Sequence, residues 1–130
     1  MALYRQALAL QRQGKLQQAV KLYKAALQGS PELVSALNNL GVIYIRQKNP
    51  AEARRVLEMA IRKDSRFVDP YYNLACLYAQ QKDIGRSLFY LKKAISVNHH
   101  ARQWAATDED LKNLRGNVEY ERIIKEPRKS

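Results

Sequence analysis

The stretch Leu37-Asn-Asn-Leu40-Gly41-Val-Ile-Tyr44-Ile-Arg-Gln-Lys-Asn49-Pro50-Ala-Glu-Ala53-Arg-Arg-Val-Leu57-Glu-Met-Ala60-Ile61 decides the fold. Its apolar residues Leu37, Leu40, Val42, Ile43 and Tyr44 fall at helical spacing, as do Val56, Leu57, Ala60 and Ile61, and Asn49-Pro50 interrupts the pattern between them. Pro50 suits the first turn of a second helix, where a missing amide hydrogen costs nothing. The stretch therefore predicts two antiparallel helices joined by a tight turn. Its small residues extend the reading to the rest of the chain, because each recurs 34 positions away on both sides: Ala7, Gly41 and Ala75; Ala19, Ala53 and Ser87; Ala26, Ala60 and Ala94. Two helices approach closely only where neither carries a bulky side chain, so these positions predict crossings, filled around by Leu10, Tyr44 and Tyr78 and by Tyr23, Leu57 and Leu91. A period of this length is the signature of stacked helical hairpins, each of which buries its apolar face against its neighbours.

The expected class is all-α: a solenoid of three antiparallel helix pairs plus C-terminal capping helices, forming one domain. Its parts are repeats at 1–33, 34–67 and 68–101 and a capping segment at 102–130. First helices are expected near 2–13, 33–47 and 69–81, and their partners near 16–28, 50–63 and 84–97. Gly14, Asn49-Pro50 and Lys82-Asp83 mark the turns inside the pairs, and Ser30 or Asp69 is available to cap the helix that follows it. Beyond residue 98 the repeat stops. Trp104, Leu111, Leu114, Tyr120, Ile123 and Ile124 then stand among acidic residues, as in a cap that is apolar inward and polar outward. Thr107 with Asp110 reads as a capping box, Asn117 as the start of a last short helix, and Glu126-Pro-Arg-Lys-Ser as a frayed tail.

The pattern resembles the tetratricopeptide repeat family over about residues 2–98. The residues that carry it are Leu40-Gly41 with Tyr44, Leu74-Ala75 with Tyr78, Ala53 with Leu57 and Ala60, and Ala19 with Tyr23, Ala26 and Pro31. Gln6, Ser87, Ser65 and His99 depart from the family's usual leucine, alanine and prolines. The stretch from Trp104 to Gly116 is similar to the segment that closes many bacterial arrays. The resemblance implies a protein-binding scaffold whose first helices line a concave groove for an extended peptide or a partner's helix. It also implies that the second helices face outward.

Composition adds bounds. With 46% apolar residues the chain can bury a core, and 23 Lys and Arg against 12 Asp and Glu leave a net charge of +11. The cations outnumber the acids five to one in residues 1–33, seven to three in 34–67, four to two in 68–101 and seven to six in 102–130, so the excess is spread along the chain. No apolar run approaches the roughly 18 residues of a membrane span. The beginning Met1-Ala-Leu-Tyr-Arg lacks a signal peptide's apolar run, which gives a cytoplasmic default; a domain excised from an exported or membrane-tethered protein would read the same way.

No catalytic constellation stands out. There is no phosphate-cradling glycine loop, no His-Glu-x-x-His and no glycine-flanked serine, so the expectation is a non-enzyme without cofactor or metal. Adjacent His99 and His100 point different ways and suit a turn. Asp108-Glu109-Asp110 lacks the alternation and glycine of a calcium loop, and Cys76, between Ala75 and Leu77, reads as a packing residue.

What remains is the face of the first helices not used within the pairs. On it fall Tyr4, Arg5, Leu8 and Arg12; Ser35, Asn38, Asn39, Val42, Ile45 and Arg46; and Asp69, Tyr72, Asn73, Cys76 and Gln80. Asparagines offer both donor and acceptor to a ligand's backbone, or bond a neighbouring helix, and Tyr4, Leu8, Val42 and Tyr72 offer apolar area. A clamp for the C-terminal carboxylates of heat-shock chaperones would, by the resemblance, want lysine at Tyr4 and Asp69, asparagine at Leu8 and Asn39, and arginine at Asn73. Only Asn39 fits, so such tails are excluded as partners. The leading expectation is a protein or peptide ligand in this groove. Two alternatives stand beside it. One is nucleic acid or an anionic membrane surface on the basic second helices, at Lys21, Lys24, Arg54, Arg55, Arg62, Lys63, Arg86, Lys92 and Lys93. The other is self-association, as the oligomerisation module of a larger envelope or assembly protein.

Overall fold

The computed structural model describes residues 2–125, which fall into two compact units, residues 1–65 and 66–130. The first unit holds α1 (Ala2–Arg12), α2 (Leu16–Gly29), α3 (Val34–Arg46) and α4 (Pro50–Lys63). The second holds α5 (Val68–Gln80), α6 (Ile84–Val97), α7 (Ala101–Thr107), a 3-10 helix (Glu109–Leu114) and α8 (Val118–Lys125). The all-α class of paired helices is as the periodicity predicts, and the six repeat helices begin and end within one residue of the expected ranges. The expected frayed tail at 126–130 lies outside the described residues.

The 34-residue register reappears in the backbone. Within each pair the first helix closes on a residue in the left-handed region: Gly14 at φ +79°, Lys48 at φ +59° and Lys82 at φ +61°. The next amide then reaches back five residues, from Lys15 to the Leu10 carbonyl, from Asn49 to Tyr44 and from Asp83 to Tyr78, at 2.9, 2.8 and 2.9 Å. The second helices also end alike, with the N–H groups of Ser30, Asp64 and Asn98 donating to the carbonyls of Ala26, Ala60 and Ala94. Ser30 is thus the C-terminal cap of α2 and not a cap for α3, which starts after Leu33. Asp69 lies inside the first turn of α5, behind Phe67. Pro50 does occupy the first turn of α4.

All nine recurring small residues are buried. In the first unit Gly41 has the least room: a Cβ there would sit 2.5 Å from both Cγ and Cδ2 of Leu57, itself fully buried on α4. In the second unit Ser87 takes the alanine position and donates its hydroxyl to the Ala75 carbonyl at 2.7 Å, so the crossing of α6 with α5 carries a hydrogen bond as well as clearance. The remaining core of the first unit is Tyr23, Ala36, Leu37, Leu40, Ile43, Tyr44, Val56 and Leu57.

In the second unit, Leu111, Leu114, Tyr120 and Ile123 of the terminal segment are buried with Ala75, Cys76, Ala79, Leu88 and Leu91, as a cap requires. Trp104 departs from the expectation: it is 40% exposed, its ring set edge-on against Tyr72. The expected capping box does not form. Asp108 caps the 3-10 helix by accepting from the Asp110 amide at 2.9 Å, while Thr107 ends α7. Asn117 accepts from the Tyr120 amide at 3.0 Å and starts α8, as expected.

Two helical glycines give opposite expectations. Gly41→Ala should destabilise the protein by about 1–2 kcal/mol in urea unfolding, because overpacking against Leu57 outweighs alanine's propensity gain of about 1 kcal/mol. Gly85→Ala, where an added Cβ meets no atom within 4 Å, should stabilise it by up to about 1 kcal/mol. Equal effects of the two would refute the crossing argument.

Candidate functional site

In the first unit the residues expected to face a ligand divide into two groups. Tyr4, Leu8, Val42 and Ile45 are half-buried and Arg5, Arg12 and Arg46 are exposed, so α1 and α3 together offer apolar area bordered by three guanidinium groups. Asn38, by contrast, is 5% exposed and faces the interior. Asn39 is drawn into a polar chain: its amide donates to the hydroxyls of Tyr4 (3.3 Å) and Tyr23 (3.1 Å), and the Tyr23 hydroxyl donates to Gln11 Oε1 at 2.6 Å. The rings of Tyr4 and Tyr23 lean together, centroids 5.8 Å apart. Tyr23 is fully buried, and burial, opposed by the Asn39 hydrogen bond, raises its phenol above the ordinary value. A buried hydroxyl needs partners, and Asn39 supplies one. The amide NH2 of Asn39 therefore ties α3 to α1 and α2.

The corresponding face of the second unit is occupied by the chain's own terminal segment. Tyr72 donates its hydroxyl to Asp108 Oδ2 at 2.6 Å and packs against Trp104 at 5.6 Å between centroids, the rings nearly perpendicular. One turn on, Cys76 is buried, and Asn113 donates to the Ala79 carbonyl at 2.8 Å, fastening the 3-10 helix to α5. Tyr72 and Cys76 thus pack beneath the cap, while Asp69 and Gln80 remain exposed and Asn73 half-buried. This occupancy by residues 104–113 is what the sequence reading missed. The approach of Asp108 to Tyr72 joins positions 36 apart, which no helical period encodes.

Cys76, Asp108 and Asp110 bring their thiol and carboxylate oxygens within 4.8 Å of one another and are the described residues that could share a metal ion. Both Asp108 oxygens already accept hydrogen bonds, one from Tyr72 and one from the Asp110 amide. Burial first, and then the charges of Asp108 and Asp110, push the Cys76 thiol well above its ordinary range, so it is protonated at neutral pH. The same causes, burial and then the Asp108 hydrogen bond, raise the Tyr72 phenol. His99 and His100 form the turn between α6 and α7, where the His100 amide donates to Asn98 Oδ1 at 3.0 Å. Among the described residues no helix is long and apolar enough to cross a membrane.

Comparison with known proteins places this geometry. Residues 4–67 match one tetratricopeptide repeat model and residues 68–98 another. Among solved structures, the chain is similar to the first such repeat domain of Spaghetti (RPAP3) bound to the HSP90 peptide SRMEEVD. The TM-score is 0.73 at 15% identity, over 94% of this chain and 87% of that one. It is also similar to a tetratricopeptide repeat protein from Parabacteroides merdae, with a TM-score of 0.74 at 27% identity, over 93% of this chain and 48% of that one. No curated protein matches the chain.

Three outcomes follow from these environments. Asn39→Ala should cost about 1–2 kcal/mol in urea unfolding, because the Tyr23 hydroxyl loses a buried partner. Cys76 should resist a thiol-specific disulfide reagent at pH 8 in the native state and react at once in urea; native reaction as fast as that of the unfolded chain would contradict its burial. Because Cys76 and Tyr72 hold their protons more tightly folded than unfolded, their contribution is fully present below about pH 8.5 and is lost as pH rises further. Thermal melts should therefore fall between pH 8 and 11, and less so in Tyr72→Phe.

Proposed function

Because this chain belongs to the tetratricopeptide repeat family, we propose that it is a protein–protein interaction scaffold that holds a partner's peptide or helix against the α1–α3 face of its first unit. The observation that carries this reading is the combination on that face: Tyr4, Leu8, Val42 and Ile45 keep apolar area open to solvent, and Arg5, Arg12 and Arg46 border it. An amphipathic or extended segment meets such a surface with alternate apolar side chains, and the guanidinium groups favour acidic residues at its edges.

The peptide complex of the similar structure supports peptides as a ligand class. The clamp for a terminal pair of carboxylates is a different matter. Tyr4, Leu8, Asp69 and Asn73 in this chain supply neither cation nor amide where such a clamp needs them, so the partner is an internal acidic-apolar segment and not a chaperone tail. Packing residues fill the interior of each helix pair, and the role is non-enzymatic.

Selection of peptides from a random displayed library on the wild-type protein provides the test. Selected peptides should be acidic with spaced apolar residues. They should lose at least about tenfold in affinity, roughly 1.4 kcal/mol, on Leu8→Ser/Val42→Ser with helix content unchanged. Peptides that bind this variant as tightly as the wild type would sink the reading.

A further inference from the structure

A second concave surface lies on the other side of the first unit. A cavity of about 320 Å³ opens between α2 and α4 over the floor of α3, lined by Leu37, Leu40, Tyr44 and Met59 and bordered by Lys24 and Arg55. At 100° per residue, Leu37, Leu40 and Tyr44 fall on the side of α3 opposite Ser35, Asn38 and Val42, so this cavity is separate from the α1–α3 face. Its volume is at the small end of ligand sites and suits one or two apolar side chains.

The border is held in place. Arg55 donates to both carboxylate oxygens of Glu52, at 3.4 and 2.9 Å, and its Nη1 lies 3.5 Å from Met59 Sδ, which fixes the guanidinium at the mouth. Lys24 makes no ion pair within 4.0 Å among the described residues, though its charge, after the hydrogen bond and charge of Arg55, helps hold the Glu52 carboxyl below its usual range. Lys21, one turn before Lys24, and Arg62, one turn after Met59, are exposed and extend the positive rim along both helices. Over residues 1–65 eleven cations face four acids, so the field at this mouth attracts anions.

We propose that this cavity is a second docking site that takes a bulky apolar side chain from an acidic partner segment, with the segment's carboxylates meeting Lys24 and Arg55. Apolar burial in the cavity supplies affinity, and the rim supplies selection against basic and neutral segments. The site goes beyond the α1–α3 surface and does not depend on it.

The probe is a fluorescein-labelled acidic peptide with Leu-Phe at its centre and Glu on both sides, titrated by anisotropy at two salt concentrations. In the Leu8→Ser/Val42→Ser background, which removes the α1–α3 face as a competing site, saturable binding is expected to persist, weakened at least about tenfold by adding Lys24→Glu/Arg55→Glu and by replacing the peptide's Leu-Phe with Ser-Ser. Circular dichroism checks that each variant folds, and Lys24→Gln with Arg55 intact gives an intermediate loss. Absence of binding would overturn the proposal. Equal binding of the Ser-Ser peptide would overturn it too, leaving loose charge attraction. So would loss only in the Leu8/Val42 variant, which would assign the peptide to the α1–α3 face, or binding to phosphatidylserine vesicles without peptide binding.

Discussion

The crossing of α3 with α4 depends on a side chain that is not there. A Cβ at Gly41 would sit 2.5 Å from Leu57, so either Leu57 or the helix would have to shift, loosening the contacts of the large residues around the crossing. The same constraint acts wherever the register repeats, and the chain meets it with alanine everywhere else except Ser87. There the hydroxyl adds little bulk and finds the Ala75 carbonyl at 2.7 Å. A buried hydroxyl without such a partner would cost about 1–3 kcal/mol, so serine is acceptable because an acceptor lies directly across the crossing.

Close crossings leave one face of each first helix unused, and the in-phase positions 4, 38 and 72 show three different uses of it. Tyr4 accepts from Asn39, Asn38 turns into the interior, and Tyr72 reaches Asp108 of the cap. The difference between the units follows from their neighbours. Tyr23, which demands a polar partner, has Leu57 and Leu91 as its counterparts in later repeats, so the Gln11–Tyr23–Asn39–Tyr4 chain has no equivalent there. In the second unit a terminal segment with its own apolar residues covers the face instead. The first unit therefore keeps the open surface.

The helices were legible because their signal is local: apolar spacing, Gly14, and Pro50 each act within a turn or two. The caps were not, since Ser30 and Asp69 have capping chemistry but stand a few residues from where it would be used. Position in the register outranked side-chain type: Ser30, Asp64 and Asn98 all close the preceding helix through backbone N–H groups. Of the candidate site, the α1–α3 stripe could be read from phase alone. The role of Asn39 in bonding α1 and α2 could be named only as one of two options, because either neighbour satisfies the same amide. The cap's seat on α5 was out of reach, for it rests on Tyr72–Asp108 and Asn113–Ala79 contacts.

The positive charge adds little stability. Ion pairs such as Arg55–Glu52 and Arg86–Asp83 join exposed groups three residues apart, and pairs of that kind contribute about 0–1 kcal/mol each. Lys63 of α4 reaches Glu32 in the turn before α3 but leaves Glu32 largely in water. With 23 cations against 12 acids, at least eleven positive groups have no acid to match them, and their mutual repulsion opposes compactness. On the first unit cations stand beside apolar area at Leu8 and Val42 and again at Leu40 and Tyr44, and it is on this pairing that the proposed acidic, apolar partner rests.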